Sequence, residues 1–234
     1  MAERESAASK VPAERPSLKD PAILIPRDPL DWWSGEYRSR PLTGLIFEMG
    51  DWCVLCRHDV NLWREQLPRL EALGGTFFIV TAQSQEALRT SASDWGLNGL
   101  PVVSDPDNVL ARDMGISVCE EPVRPCIQRY FDTYKNNQVC APGYVIVNQQ
   151  GAELSAWHQT PTVHNIGGAI DRPVPSNVIS HLENRVADAP GESDVRNPNE
   201  VLDDFAPYIE QVFCELPDCI QELIIEERHI AAAK

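Results

Sequence analysis

The 234-residue sequence has no apolar run long enough to cross a membrane. Its first nine residues are polar and lack the apolar core of a secretory signal. Positive charge is scarce: 20 Lys and Arg stand against 35 Asp and Glu, and the net charge is −15. Such an acidic chain is poorly suited to bind nucleic acid or an anionic membrane. Together these absences predict a cytoplasmic protein without a nucleic-acid or membrane partner.

Several catalytic signatures are also missing. The chain contains no Gly-rich phosphate loop, no Ser/His/Asp arrangement and no metal-binding motif. We therefore expect neither a bound cofactor nor a metal ion. The chain does contain seven cysteines, an odd number, and no export signal. This combination favours reactive or buried thiols over a framework of disulfides.

The most informative stretch is residues 52–56, a tryptophan followed by a Cys-x-x-Cys motif. An apolar run at residues 42–49 predicts a strand before it, and a helical pattern that stops at Gly74 follows it. At a helix N-terminus, unpaired backbone N–H groups and the helix dipole stabilise a thiolate. We therefore predict Cys53 as the nucleophile and Cys56, one turn later, as the resolving cysteine.

A Cys-x-x-Cys motif can also form half of a zinc site. Such a site needs two more ligands at similarly close spacing, and no histidine adjoins Cys53. The remaining cysteine pairs, Cys119 with Cys126 and Cys214 with Cys219, are more widely spaced. A redox pair at the motif is therefore favoured. Cys119 and Cys126 could form a second switchable pair, whereas Cys214 and Cys219 are interpreted as packing residues.

The chain divides into three predicted parts. Residues 1–41 are rich in proline and charge and predict an extended N-terminal arm. Residues 42–186 alternate strand and helix patterns, then show a hairpin and a helix, with an irregular insert at residues 119–141. This order predicts an α/β domain with a central mixed β-sheet flanked by helices. Residues 187–234 predict a linker and an acidic C-terminal helical extension.

Apolar side chains outside the predicted domain are expected to pack against a protein surface. The adjacent Trp32 and Trp33 lie in the polar arm, and we expect them to dock on the domain surface. The apolar faces of the C-terminal extension favour either packing on the domain or a homodimer contact.

Three segments, in order, resemble the peroxiredoxin-like (AhpC/TSA) branch of the thioredoxin fold. Residues 50–57 are similar to its Gly-Asp-Trp-Cys-Pro-x-Cys signature, and residues 104–116 to its Ser-Asp-Pro segment and helix. Residues 142–151 are similar to its Pro-x-x-Phe-x-Ile-Asp-x-x-Gly hairpin. The resemblance covers about residues 42–185. It implies a thioredoxin-like fold and a thiol-dependent oxidoreductase that reduces a hydroperoxide or disulfide, small molecule or protein, with thioredoxin or glutathione as reductant.

The resemblance also implies a substrate-binding set. Thioredoxin-like folds place a cis-proline before a strand, facing the cysteines, where it holds an extended substrate backbone. Pro142 occupies that position, and we expect it to be cis. Together with Gly143 and Trp52, it makes up the predicted substrate-binding residues.

Auxiliary roles are predicted for residues near the motif in sequence or in the fold. Asp51 and Glu48 are candidate proton acceptors for the resolving thiol. Arg57 could favour a thiolate through its charge. Cys140, two residues before Pro142, could act as an extra resolving thiol.

The chain departs from the peroxiredoxin motif Pro-x-x-x-Thr-x-x-Cys. If Cys56 is aligned with the motif cysteine, Cys53 occupies the position of the threonine. If Cys53 is aligned with the motif cysteine, Gly50 occupies that position. The family's peroxide-binding arginine has only Arg124 and Arg129, both in the insert, as candidates. These departures favour dithiol–disulfide exchange over peroxide reduction.

Two other classes of function stay open. A non-catalytic thioredoxin-fold scaffold or redox sensor would use the tryptophan pair and the acidic tail as its working surface. Alternatively, the fold could have been recruited to small-molecule biosynthetic chemistry, for which the long insert leaves room.

Overall fold

The computed structural model describes residues 22–122, 124–162, 165–166, 168–186, 206–212, 216–218, 220–222 and 224–225. Eight strands are present in these ranges: β1 (Ala22–Leu24), β2 (Leu42–Phe47), β3 (Gly75–Thr81), β4 (Pro101–Ser104), β5 (Val118–Cys119), β6 (Val139–Cys140), β7 (Gly143–Asn148) and β8 (Glu153–His158). Six of them form one sheet in the order β1-β4-β3-β2-β7-β8. The first four strands of that order are parallel, and β7 and β8 are antiparallel to their neighbours.

Helices cover both faces of this sheet. They are α1 (Pro29–Arg38), α2 (Val54–Ala72), α3 (Gln85–Ser91), α4 (Val109–Asp113), α5 (Gln128–Phe131), α6 (Pro175–Val186) and α7 (Ala206–Val212). One core cluster packs α2 and α6 against the sheet, and a second packs α1 and α4 against the opposite face. This is the predicted thioredoxin-like arrangement, a mixed sheet between two helical layers. None of the described helices is both long and apolar enough to span a bilayer.

Strand β2 positions the Cys-x-x-Cys motif. All six of its residues are buried, because it lies between β3 and β7 and is covered on both faces. The chain leaves the carboxyl end of β2 and enters α2 at Cys53, which is the N-cap residue. Ligands and reactive groups of open α/β sheets lie at this edge. At its other end, α2 stops before Gly74, whose φ of +76° allows the turn into β3.

The N-terminal arm is not extended throughout, as the sequence had suggested. Strand β1 pairs in parallel with β4, and Asp28 caps helix α1 by accepting hydrogen bonds from two backbone N–H groups. Residues 22–38 therefore contribute a strand and a helix to the structure around the sheet, while residues 1–21 lie outside the described residues. The docking of the tryptophans is confirmed: Trp33 is 4 % exposed, and Trp32 meets Phe78 edge-on at 5.0 Å. Burial of these rings explains why the segment folds onto the sheet.

The insert contains more regular structure than its sequence pattern predicted. Strands β5 and β6 pair antiparallel and join its two ends. Between them lie α5 and two short 3₁₀ helices, Pro125–Ile127 and Lys135–Asn137. Their buried apolar side chains belong to the same core cluster as α2. The insert therefore forms a wall at the edge of the sheet where Cys53 lies.

The C-terminal extension packs on the domain in its described parts. The ring of Tyr208 stacks on that of His58 at 4.1 Å, and the Tyr208 hydroxyl donates to the Val54 carbonyl at 3.1 Å. Among the described residues of the extension, the buried apolar side chains are Ile209, Leu216, Ile220 and Ile224. Both contacts of Tyr208 lie in the first turns of α2, so the extension covers the helix that begins at Cys53. A homodimer contact stays a prediction.

Candidate active site

Cys53 and Cys56 lie together at the start of α2. The Cys53 sulfur accepts a hydrogen bond from the backbone N–H of Cys56 at 3.3 Å, as a capping side chain does. Both thiols are free in this structure. Cys53 is 6 % exposed and Cys56 is fully buried. A reagent that enters from solvent therefore meets Cys53 first.

The two thiols have opposite pKa shifts. Burial alone would raise the pKa of Cys53, but hydrogen bonding from Cys56 and the positive charge of Arg172 outweigh it and lower that pKa below its ordinary value. Burial raises the pKa of Cys56 well above its ordinary value, and its hydrogen bond to Cys53 raises it further. The site therefore favours a thiolate at Cys53 over one at Cys56.

A buried arginine, Arg172, completes the site behind the cysteines. It is 1 % exposed, and its Nη2 donates to the Cys56 sulfur at 3.2 Å. Its Nη1 donates to both carboxylate oxygens of Glu48, at 3.0 and 2.9 Å, and lies 3.2 Å from Oδ2 of Asp59. Nε donates to the Ala169 carbonyl at 2.9 Å. The guanidinium is therefore held in place on several sides and directs one N–H at the Cys56 sulfur.

Sequence reasoning did not find Arg172. It had placed the candidate active-site arginines in the insert, at Arg124 and Arg129, but Arg129 lies over the Tyr130 ring with its guanidinium carbon 4.8 Å from the centroid. Arg172 is 116 residues from Cys56 and no motif surrounds it. The sequence feature that could have indicated Arg172 is its position shortly before α6, in a segment that returns to the edge of the sheet.

Two carboxylates share this one guanidinium. Burial raises the pKa of Glu48 well above its ordinary value; the charge of Arg172 opposes that rise, and the neighbouring Asp59 adds to it. Glu48 therefore binds a proton more tightly than a solvated carboxylate does. Of the two predicted proton acceptors, Glu48 is the one in this cluster. Asp51 is partly exposed on the preceding loop, and its backbone N–H is bonded to Gln83.

Pro142 and Gly143 do not face the open side of Cys53. No peptide bond between described residues is cis, so the expectation of a cis-proline at Pro142 is wrong. Both residues line a narrow crevice that Asp59 and Arg172 also line, on the inner side of the site. A side chain at Gly143 would lie 2.6 Å from Ile116 and 2.9 Å from a backbone oxygen. Tight packing accounts for Gly143, and substrate contact by either residue stays a prediction.

The other auxiliary candidates have different surroundings. No described hydrogen bond joins Arg57 to either motif sulfur, and the charge next to Cys56 is that of Arg172. Cys140 is buried and donates to the Glu48 carbonyl at 3.3 Å. Burial raises the pKa of Cys140 well above its ordinary value, which leaves it protonated. A resolving role for Cys140 stays a prediction.

The cysteines of the insert do not pair with each other. Cys119 is free, whereas Cys126 forms a disulfide whose partner lies outside the described residues. The hypothesis of a switchable Cys119–Cys126 pair is therefore wrong. Cys214 and Cys219 also lie outside the described residues. Within the described part of the chain, no group of three or more potential metal ligands comes together.

A cavity of about 270 Å³ opens onto Cys53. Trp52 lines it; the indole N–H donates to the Tyr134 hydroxyl at 3.0 Å, and the indole stacks on Tyr130 at 4.9 Å. Neither Cys56 nor Arg172 lines the cavity. Its other walls come from the insert, from β5 and β6, and from the extension: Val118, Cys119, Ile127, Phe131, Val139, Cys140, Leu216, Pro217 and Ile220.

Gly50 is expected to be intolerant of any side chain. Its φ is +147°, and a Cβ there would lie 2.0 Å from the hydroxyl of Tyr134, which binds both Trp52 and the Met49 carbonyl. We predict that Gly50→Ala destabilises the fold by about 1–3 kcal/mol in chemical denaturation. Gly35→Ala, in α1 where a Cβ has no neighbour within 4 Å, is the control and should be neutral or slightly stabilising. Equal effects of the two substitutions would contradict this account.

The AhpC/TSA family model matches residues 36–152, a range that includes both motif cysteines and ends before Arg172. No curated protein sequence matches the chain significantly. Among solved structures, AhpC of Enterococcus faecalis is 17 % identical and aligns over 64 % of this chain and 79 % of its own, with a TM-score of 0.47. A cysteine mutant of PrxQ from Xylella fastidiosa is 17 % identical, over 62 % and 77 %, with a TM-score of 0.45. AhpC of Mycobacterium tuberculosis is 15 % identical, over 66 % and 75 %, with a TM-score of 0.44.

Proposed function

The chain belongs to the AhpC/TSA family, and from that premise we propose that it is a thiol–disulfide oxidoreductase with Cys53 as nucleophile and Cys56 as resolving cysteine. One observation carries the proposal: Cys53 faces a cavity and has a lowered pKa, while Cys56 lies sealed behind it. Attack on the substrate and resolution of the mixed disulfide are thereby assigned to different sulfurs. The family supports an oxidoreductase in general, and the division of roles is the specific part of the proposal.

The first step transfers the substrate to Cys53. The Cys53 thiolate attacks one sulfur of a disulfide in the cavity, the S–S bond breaks, and the other half leaves as a thiolate that takes up a proton. The N–H of Cys56, 3.3 Å from the Cys53 sulfur, stabilises the thiolate before attack. The product of this step is a mixed disulfide on Cys53.

The second step requires a thiolate at Cys56. Burial disfavours that charge, and the Arg172 N–H, 3.2 Å from the sulfur, is the group that stabilises it. Glu48, which binds the same guanidinium, is the buried carboxylate that would accept the proton. Cys56 then attacks Cys53, releasing the second thiol and leaving a Cys53–Cys56 disulfide. Thioredoxin or glutathione would return the two electrons.

A hydroperoxide is the alternative substrate. Cys53 would then attack the distal oxygen, release an alcohol and form a sulfenic acid, which Cys56 converts to the disulfide with loss of water. That route develops charge on oxygen, and a preformed donor or cation normally stabilises such charge. The guanidinium of Arg172 is aimed at Cys56 and does not line the cavity. The geometry therefore favours the disulfide.

The scaffold alternative loses part of its proposed surface. Trp33 is 4 % exposed and the described parts of the extension pack on the domain. The buried side chains of both would have to leave the core before they could bind a partner.

The pH dependence of thiol alkylation tests the division of roles. Because Cys53 has a lowered pKa and Cys56 a raised one, iodoacetamide should label Cys53 at a lower pH than an ordinary thiol and should leave Cys56 unmodified there. Mass spectrometry of tryptic peptides gives the rate at each sulfur. A glutathione titration in the same samples gives the potential of the pair. Preferential labelling of Cys56 would contradict the proposal, as would a Cys53–Cys56 pair that stays reduced at every ratio of oxidised to reduced glutathione.

A further inference from the structure

We infer that the substrate is a small apolar disulfide bound whole in the cavity above Cys53, and that the C-terminal extension forms the wall that selects it. The inference rests on the proposed function, since it names the molecule on which Cys53 acts. Three observations carry it: the chemistry of the cavity lining, the position of the extension, and the separation of Arg172 from the cavity.

The lining is almost entirely apolar. Outside the cysteines, the described lining residues with polar side chains are Ser117 and Glu121. A polar substrate group that entered would lose water and find few partners, which is unfavourable. The volume of about 270 Å³ lies near the lower end of the roughly 300–1,000 Å³ typical of ligand sites, so the ligand is compact.

The extension covers the side of the cavity from which a protein substrate would have to approach Cys53. Leu216 and Ile220 line the cavity and are themselves buried in the core cluster of α2. Tyr208 binds the carbonyl of Val54, one residue after Cys53. A disulfide on the surface of a folded protein would have to displace this packing to reach a sulfur that is 6 % exposed. A small molecule needs only the existing opening.

A disulfide is the reducible group that suits such surroundings. In thiolate–disulfide exchange the negative charge spreads over three sulfurs, so an environment without charged donors does not oppose the transition state. The attack breaks one S–S bond and forms another, and the leaving thiolate takes up a proton. Arg172 then acts at Cys56, outside the cavity, where the second S–S bond forms. The products are two thiols, and an external dithiol or glutathione supplies the two electrons.

The first test compares two disulfides of nearly equal size. Dipropyl disulfide and bis(2-hydroxyethyl) disulfide differ only in that two terminal methyl groups replace two hydroxyls. We expect kcat/KM to be at least about tenfold higher for dipropyl disulfide, because the cavity offers few partners for the hydroxyls. Equal values, or a preference for the diol, would overturn the inference and leave the proposed function standing. Faster reduction of a protein disulfide would also overturn it.

The second test addresses the wall. Ile220→Ser places a hydroxyl in the cavity and should lower the preference for dipropyl disulfide several-fold. Ile224→Ser is the matched control, since Ile224 is equally buried in the same segment but does not line the cavity. It should leave the ratio of the two kcat/KM values unchanged even if it lowers stability. An identical change of that ratio in both variants would overturn the role of the extension.

Binding of dipropyl sulfide separates this inference from the proposed function. This thioether has no reducible bond, so calorimetric titration of the full chain reports affinity alone. Binding that Ile220→Ser weakens and Ile224→Ser does not supports the inference. Absence of binding overturns it. If the thioether binds but no disulfide is turned over, the cavity assignment is supported while the proposed function fails.

Discussion

Cys53→Ser is expected to abolish turnover of a disulfide substrate, with a loss greater than about a thousandfold. Serine cannot form the mixed disulfide, and Cys56 is fully buried and does not line the cavity. The two other free thiols among the described residues are poor substitutes, because burial raises the pKa of Cys140 and raises that of Cys119 to about 11. Steady-state assays with a thioredoxin or glutathione recycling system measure the loss.

The matched variant is Cys56→Ser, which should separate the two steps. Cys53 still attacks, so one equivalent of thiol is released in a burst, and the other half of the substrate stays attached to Cys53. Intact-mass spectrometry detects the adduct and peptide mapping locates it. An adduct on Cys56 in the Cys53→Ser variant would instead reverse the two roles.

Arg172→Met is expected to lower the free energy of unfolding by about 3–5 kcal/mol, a large share of the roughly 5–15 kcal/mol of a typical domain. The substitution keeps much of the side-chain volume but leaves the Glu48 and Asp59 carboxylates buried without a positive partner. Equilibrium urea denaturation measures the change. The same variant should also lengthen the lifetime of the mixed disulfide, because the Cys56 thiolate loses its hydrogen-bond donor.

Arg69→Met is the control for that loss. Arg69 pairs with Glu183 at 2.6 Å, but both side chains are more than a third exposed, at 37 % and 38 %. Water screens such a pair, and its removal should cost only about 0–1 kcal/mol.

A double-mutant cycle of Arg172→Met with Glu48→Leu should show coupling of about 0.5–3 kcal/mol, because the second change removes the unpaired carboxylate. Additive losses would contradict the proposed role of the buried pair.

The effect of Arg172→Met should also depend on pH. The folded-state pKa of Glu48 is already raised by burial, and loss of the opposing Arg172 charge would raise it further. A carboxyl group with a raised folded pKa keeps its full contribution to stability below its unfolded pKa of about 4.3 and loses it as pH rises through the folded value. Because the two unfolded chains titrate alike, the variant should be closest to the parent protein in acid and fall behind only as pH rises above the already raised folded-state pKa of Glu48 in the parent. A difference that is constant with pH would contradict this account.

Local features of the site could be predicted from sequence. The strand, turn and helix around Cys53 follow from apolar periodicity and from Gly74, which act over a few residues. The N-cap of α3 at Ser84, which accepts from the Ala87 N–H at 3.2 Å, is another feature set by residues close together in the chain. The order of strands and helices was enough to predict the layers of the fold.

Predictions about distant contacts succeeded less often. Neither β1 nor α1 was predicted from the irregular sequence of the arm. A three-residue strand such as β1 is specified by its pairing with β4 rather than by its own sequence pattern. The expected cis bond at Pro142 relied on position in a family pattern, whereas the local packing around this proline accommodates a trans bond.

By itself, the sequence determined the fold class, the absence of familiar cofactor motifs and the position of the proposed nucleophile, since each depends on neighbours along the chain. Only the tertiary structure decided which groups surround the two sulfurs. Arg172 meets Cys56 across 116 residues and Glu48 across 124, and the extension reaches the wall of the Cys53 cavity from beyond residue 215. Burial decides the protonation of such a cluster, because desolvation and the number of opposing charges set each pKa. Neither quantity is defined until the chain has folded.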